Sequence, residues 1–478
     1  MAKPAGCVPR DSQTRNPSEM NTRPTVLPTY SAIVLLVASS AVAQLPVERK
    51  HTETLLAPFP PEVRDSALVS PDCRHIAYIE ESGAGQTAVL DGRKQGTYDR
   101  VVALDFSPDG NRLAYAARKG RAWHVVVDGQ EQTPYERVGP PIFSPESRRV
   151  AHVAMVSGKR SVVVDGKPGP PYDVISAGLI EFSPDGRRMA YGAVKDGQCY
   201  LVVDGQPTGP YQDLGTQTGY RFSTDGARLA FVIREGEKSR VMVDGSKGPP
   251  HDDVAGLVFS PDGKRVAYAA LDAGKWRVIV DGEAQAPYDT IGDDSLAFSP
   301  DGAKVAYAAR SAGKWCVVVD GREQKHYDGV GQLCWSPDGR RLAYGVQTGE
   351  FEMVVLDGRE ERIFDAVAAG SLVFSPNSDH LGYIAGSRTV RFAVVDNNRK
   401  PRFDAVAYLN FSPDSQSPVY AATGAGKAFT VVEDKPALHQ YDAIWLAHGA
   451  KLPFDSRRGF HYLAVKDDSI LLVEEVVE

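Results

Sequence analysis

The feature that most constrains this chain is its period. The Ser of an SPDG-like tetrapeptide falls at 70, 107, 144, 183, 223, 260, 299, 336, 375 and 412, always 37 to 40 residues apart. Five copies read SPDG; the others read SPDC, SPES, STDG, SPNS and SPDS. An apolar run closed by Asp-Gly keeps the same beat. It reads VVVDG at 125–129, 162–166 and 317–321 and decays to VVDN (394–397) and VVED (431–434). A third element pairs an aromatic with an acid, as in Tyr98-Asp99, Tyr172-Asp173 and Tyr288-Asp289; Tyr211-Gln212 and His251-Asp252 depart from it. Self-similarity at a fixed period marks a repeat architecture.

Each unit parses into four short strands. In residues 257–291 the first strand ends in LVFS, the second is RVAYAA, the third is WRVIVD and the fourth runs around YDTI. Val, Ile, Tyr, Phe and Trp fill these runs, and Gly, Pro, Asp and Ser punctuate them. The apolar runs hardly alternate, so the sheets are covered on both faces. Four strands per 37–40 residues is the pattern of a β-propeller blade. A β-solenoid would use shorter repeats with one strand per face. The chain is therefore read as all-β, a β-propeller of about ten to eleven four-stranded blades. Ten repeats occupy 65–442, and a degenerate last blade (IWLAHGA, FHYLAVKDD, ILLVEE) occupies 443–478. Closed propellers usually have about four to eight blades, which favours two smaller rings over one wide ring. The last unit lacks a clear fourth strand, and ETLLAPF (53–59), in the N-terminal segment 44–64, is the candidate to supply it.

The repeated carboxylates look catalytic only in isolation. SPDG suits a type I turn, with Pro presetting φ at the second position and Gly accepting positive φ at the fourth. Asp109, Asp185, Asp262, Asp301 and Asp338 are therefore read as turn residues. So are Asp128, Asp165, Asp281 and Asp320, which head Asp-Gly hairpin turns. A catalytic pair needs two groups at one place with separated pKa values, whereas equivalent residues in a ring stand at equivalent positions. Trp123, Trp276 and Trp315 are read as blade packing by the same argument. Arg112, Arg148 and Arg149, Arg187 and Arg188, Lys264 and Arg265, and Arg340 and Arg341 follow the first turn and are read as a solvated, salt-paired rim.

FSPDGKRVAYAA (259–270) resembles the PD40, or WD40-like, propeller repeat of the exported TolB-like propellers and of the propeller domains of prolyl oligopeptidase-type peptidases. The resemblance extends over nearly all of 65–442 and implies a propeller that binds other proteins. The regular VVVDG…YD module departs from the usual repeat and points to a divergent subfamily.

AIVLLVA (32–38), preceded by Arg23 and followed by Ala41-Val42-Ala43, has the parts of a secretory signal peptide over 1–43, cleaved after Ala43. Met20 begins a better-proportioned signal and is the expected start. The expected location is a periplasm or the cell exterior, with no membrane span after cleavage. A net charge of −7 supplies no positive field for nucleic acid. Of the five cysteines, Cys7 leaves with the leader; Cys73, Cys199, Cys316 and Cys334 form no Cys-x-x-Cys pair. An exported chain could oxidise them; Cys316 and Cys334 are the only pair close in sequence, and apolar packing is the preferred role.

No G-x-S-x-G elbow, H-E-x-x-H, Walker A or G-x-G-x-x-G fingerprint is present. No catalytic residue, metal ligand or cofactor is assigned. The expected function is an exported module that binds another envelope or secreted protein or peptide. The alternatives are a saccharide lyase or hydrolase with a channel site, and a structural envelope repeat protein. Variation between copies concentrates in the 2–3 and 4–1 connections. The candidate partner-binding residues there are Arg121, Lys159, Arg160, Lys195, Arg234, Lys238, Lys275, Asp293, Asp294 and Lys314.

Overall fold

The computed structural model describes residues 46–175, 180–214, 219–387 and 389–477. The signal segment 1–43, Met20 included, and most of the loop LGTQTGY (214–220) lie outside the described residues.

The chain forms eleven antiparallel sheets in sequence order, numbered here blades I to XI. Blade VI shows the pattern: Asp253–Phe259, Val266–Asp272, Lys275–Val280 and Glu283–Ala284 pair in order. The second strand is buried along both faces because each blade lies between two others; Val266 to Ala270 are all in the core. First strands of neighbouring blades approach one another, which makes them the inner edge of the ring. In blades III, IV, V, VII and IX the inner strand is broken into two pieces that share one partner strand. In blades II, VI, VIII and X it stays continuous around a bulge.

The blades close one ring of eleven, which corrects the preference for two smaller rings. Contacts pass from blade to blade without a break, and blade XI returns to blade I. Arg74 of blade I pairs with Asp455 of blade XI at 2.6 Å, and Cys73, Ile76 and Tyr78 share a core with Phe460 and Tyr462. A split into two rings needs a place where this spacing is interrupted, and the 37–40-residue beat has none. His51–Pro58 pairs antiparallel with Ser469–Val476 and completes the blade formed by Ala443–Trp445, Gly459–Lys466 and Ser469–Val476. The ring is thus shut by hydrogen bonds between the two ends of the chain.

The aromatic of the third repeat element packs across blades. Tyr98 meets Tyr115, Tyr172 meets Tyr191, Tyr288 meets Tyr307 and Tyr441 meets Tyr462 edge-on, with ring centroids 6.0–6.2 Å apart. Each such pair is worth about 0.5–1.5 kcal/mol beyond its burial. His251 takes the same position against Tyr268 at 5.9 Å, a packing variant of the aromatic.

Candidate functional site

The repeated polar residues are used up in holding the ring. In the SPDG turn of blade VI, Ser260 Oγ donates to Asp262 at 2.6 Å and the Lys264 N–H donates to the same oxygen at 3.1 Å. The Ser260 bond lowers the Asp262 pKa, as equivalent bonds do at Asp109, Asp185, Asp301 and Asp338. Asp281 heads its turn at φ +52°, left-handed backbone that Asp tolerates. Its Oδ1 accepts from the Val266 N–H at 2.9 Å and its Oδ2 from Arg265 Nε at 2.8 Å. Asp128, Asp165 and Asp320 bond the same backbone N–H in their own blades.

Arg265 does more than pair with Asp281. Its Nη1 donates to the carbonyls of Gly302 and Ala303 in blade VII, and its guanidinium lies 5.3 Å from the Phe298 ring centre. Arg112, Arg149, Arg188, Arg228 and Arg341 repeat this fastening, each to two carbonyls and one Phe of the following blade. Arg112, Arg149, Arg188, Arg265 and Arg341, read as part of a solvated rim, are therefore inter-blade ties, while Arg187, Lys264 and Arg340 stay solvated beside their turn carboxylates. A forked planar cation suits two carbonyls and an aromatic face at once.

The opposite end has its own tie. Asp252 accepts the Ala273 N–H of the blade VI hairpin at 2.9 Å, and Lys238 of blade V reaches it at 2.5 Å. Lys275 with Asp289, Lys314 with Asp328 and Lys159 with Asp173 do the same for the next hairpins. Four of the ten candidate partner-binding residues, Lys159, Lys238, Lys275 and Lys314, thus hold neighbouring blades together. Arg160 donates to the Ile175 carbonyl, and Arg234 stands opposite Asp213 on paired strands. Arg121 and Lys195 are exposed at the hairpin end, and Asp293 and Asp294 are exposed in the break between the two inner-strand pieces of blade VII. Lys159 and Lys195 meet at Asp173; the candidate residues as a set are spread over several blades.

Two places carry non-repeated chemistry. The first is the residue before the SPDG-preceding aromatic, on the inner strands. That position holds Asp105, Ile142, Glu181, Arg221, Val258, Ala297, Cys334, Val373 and Asn410 in blades II to X. Glu181 and Arg221 of adjacent blades stand 3.6 Å apart. Burial raises the Glu181 pKa against the pull of Arg221, and burial raises Asp105 to about 6. Where other blades have SPDG, blade XI has the longer segment 446–458. Lys451 lies in that segment, which is bonded to the inner strand of blade X next to it and, through Ala447, to Cys73 of blade I. Burial lowers the Lys451 pKa and raises that of the Cys334 thiol. Leu452 donates its N–H to Tyr408 and accepts from Asn410 Nδ2 at 2.9 Å. Cys334 and Cys316 are both free thiols.

The second place is a cleft of about 600 Å³ at the hairpin end between blades VIII and IX. Glu350, Phe351, Asp365, Ala366, Ser387, Thr389 and Arg391 line it. Asp365 is the aromatic-acid carboxylate of its repeat. In blade VIII the equivalent Asp328 accepts the Gly349 N–H at 2.9 Å; among the described residues no N–H donates to Asp365. Phe351 is 51% exposed, one of few large apolar side chains so placed. Sequence reading missed this cleft; the one available signal was the blade IX hairpin GSRTVR, which lacks the Gly that the other repeats carry late in this hairpin.

No family model and no curated protein matches the chain. Solved structures align with parts of it at low identity. A eukaryotic initiation factor aligns over 80% of this chain and 97% of its own, at 15% identity and a TM-score of 0.40. TolB from Acinetobacter baumannii aligns over 52% of this chain and 77% of its own, at 19% identity and a TM-score of 0.25. The Dos1 propeller aligns over 62% of this chain and 90% of its own, at 12% identity and a TM-score of 0.31. The assignment of the propeller rests on the strand order of the eleven sheets.

Proposed function

We propose that this protein is an exported interaction module that grips a segment of another envelope or secreted protein at its hairpin end. The anchor in this reading is the cleft between blades VIII and IX. The observation that carries it is an uncapped carboxylate beside an exposed aromatic: most blades cap this acid with a hairpin N–H, but among the described residues Asp365, like Asp404, accepts none, and Asp365 stands beside the exposed Phe351. An aromatic face flanked by Glu350 and Asp365 suits a peptide that presents an apolar side chain next to Lys or Arg. The repeated residues are already spent on the ring, so specificity falls to side chains that do not repeat.

The test uses the mature chain with a photo-crosslinking residue in place of Thr389, incubated with the envelope fraction of the exporting cell. One stoichiometric partner is expected, and Phe351→Ala together with Asp365→Asn should abolish its capture. Equal capture by the double variant sinks this site, and substrate turnover by the lone protein sinks the binding reading.

A further inference from the structure

We propose that blade VII carries a site for a zinc-class divalent cation, built from Cys316, Glu323 and His326. Cys316 lies on the third strand, Lys314–Val319, and the other two on the outer strand, Arg322–Tyr327. Cys316 pairs with His326 and Val318 with Glu323, with a bulge between the two pairs. Paired residues share a face, and so do residues two apart along a strand. The bulge therefore turns Glu323 and His326, three apart, to the face that carries Cys316. One Cys sulfur, one carboxylate oxygen and one imidazole nitrogen lie within 4.8 Å of one another.

The dimensions suit a small tetrahedral ion. Bonds of about 2.0–2.3 Å to N, O and S ligands imply ligand-to-ligand distances of about 3.3–3.8 Å. His326 Nε2 and Glu323 Oε2 already stand 3.6 Å apart. Their side chains are 43% and 44% exposed and can close on a fixed, fully buried sulfur. Thiolate, imidazole and carboxylate together favour zinc over the hard cations magnesium and calcium. Three protein ligands leave a fourth position for water.

A second observation points to the same spot. Tyr288 is buried and lies beside both Glu323 and Cys316. The fold also supplies an internal control. Blade VIII has the same bulge, with Met353 opposite Ile363 and Val355 opposite Glu360, and blade I has it with Thr87 opposite Thr97. The backbone device recurs, and in these three blades ligand chemistry occupies it only in blade VII. This departs from the expectation of no metal ligand, which rested on the missing Cys-x-x-Cys; Cys-x6-Glu-x2-His is a spacing that only a bulged hairpin makes meaningful.

The test is a titration of the mature chain with Zn²⁺ followed by calorimetry, and with Co²⁺ followed by its thiolate-to-metal absorption band. One equivalent should bind, the cobalt band should appear, and Zn²⁺ should raise the melting temperature. Cys316→Ser should remove the band, and His326→Ala should weaken zinc at least tenfold. His326 is exposed, so its variant folds even if the core change at Cys316 does not. No stoichiometric binding, a cobalt adduct without the thiolate band, or unchanged zinc affinity in His326→Ala would each overturn the proposal.

Discussion

Replacing Glu475 with Gln should open the ring at its seam. Glu475 is 1% exposed on the strand Ser469–Val476, which pairs with the N-terminal strand His51–Pro58. Arg49 Nε donates to it at 2.9 Å, Thr430 Oγ1 at 2.7 Å and the Tyr462 hydroxyl at 2.6 Å. His439 Nε2 stands 2.9 Å away, off the line of a hydrogen bond. Arg49 also donates to the carbonyls of Lys435 and Thr430, so blade X is drawn into the seam. Burial would raise the Glu475 pKa, but His439, Arg49 and Thr430 outweigh it and bring it from 4.5 down to about 2. That difference corresponds to about 3 kcal/mol of stabilisation at neutral pH. An independent route gives a similar size: leaving the buried Arg49 without its carboxylate costs about 3–5 kcal/mol.

The assay is hydrogen exchange of the amides in His51–Pro58, which reports local opening of the seam. Glu475→Gln should speed it by about two to four orders of magnitude at pH 7. The folded-state pKa is depressed, so the contribution is complete above pH 4.5 and lost as pH falls through about 2. The parent should therefore lose protection in that acid window, and the variant should lack that part of the loss. A cost below about 1 kcal/mol, or an unchanged acid profile in the variant, would refute the reasoning.

Three further outcomes follow from the same geometry. Asp105 has a pKa raised by burial from 3.8 to about 6, so its ionisation costs stability. The penalty is absent below 3.8 and develops as pH rises through 6, and Asp105→Asn should gain about 1–3 kcal/mol at pH 7.5 but not at pH 4 in denaturant titrations. Arg265→Ala should cost about 1–3 kcal/mol by losing the Gly302 and Ala303 bonds and the Phe298 contact. Arg265→Lys should recover only part of that, and full rescue would mean that charge alone matters. Lys275→Ala, at an exposed pair with Asp289, should change the unfolding midpoint by no more than about 0.5 kcal/mol equivalent; a loss above about 1 kcal/mol would make that tie stronger than a surface ion pair.

The sequence by itself determined the blade. Period, strand content and turn chemistry are local: Ser260 meets Asp262 two residues away, and Asp281 meets Val266 across one hairpin. Such contacts follow from spacing, which is why Asp262 and Asp281 could be set aside as catalytic acids before any coordinates. What tertiary structure alone decided depends on residues one repeat or more apart. Whether eleven blades close one ring depends on the wedge between neighbours, set by packing such as Tyr288 on Tyr307 and Arg265 on Phe298. Arg265 reaches blade VII because the SPDG turns of the two blades stand side by side, so its sequence looked like that of any rim cation. The cleft at Phe351 and Asp365 is lined by residues of two neighbouring blades, and no local spacing announces it. Glu323 and His326 face Cys316 because one bulge shifts the register, and a one-residue shift in a strand exchanges its two faces. Periodicity in the chain cannot report where that shift falls.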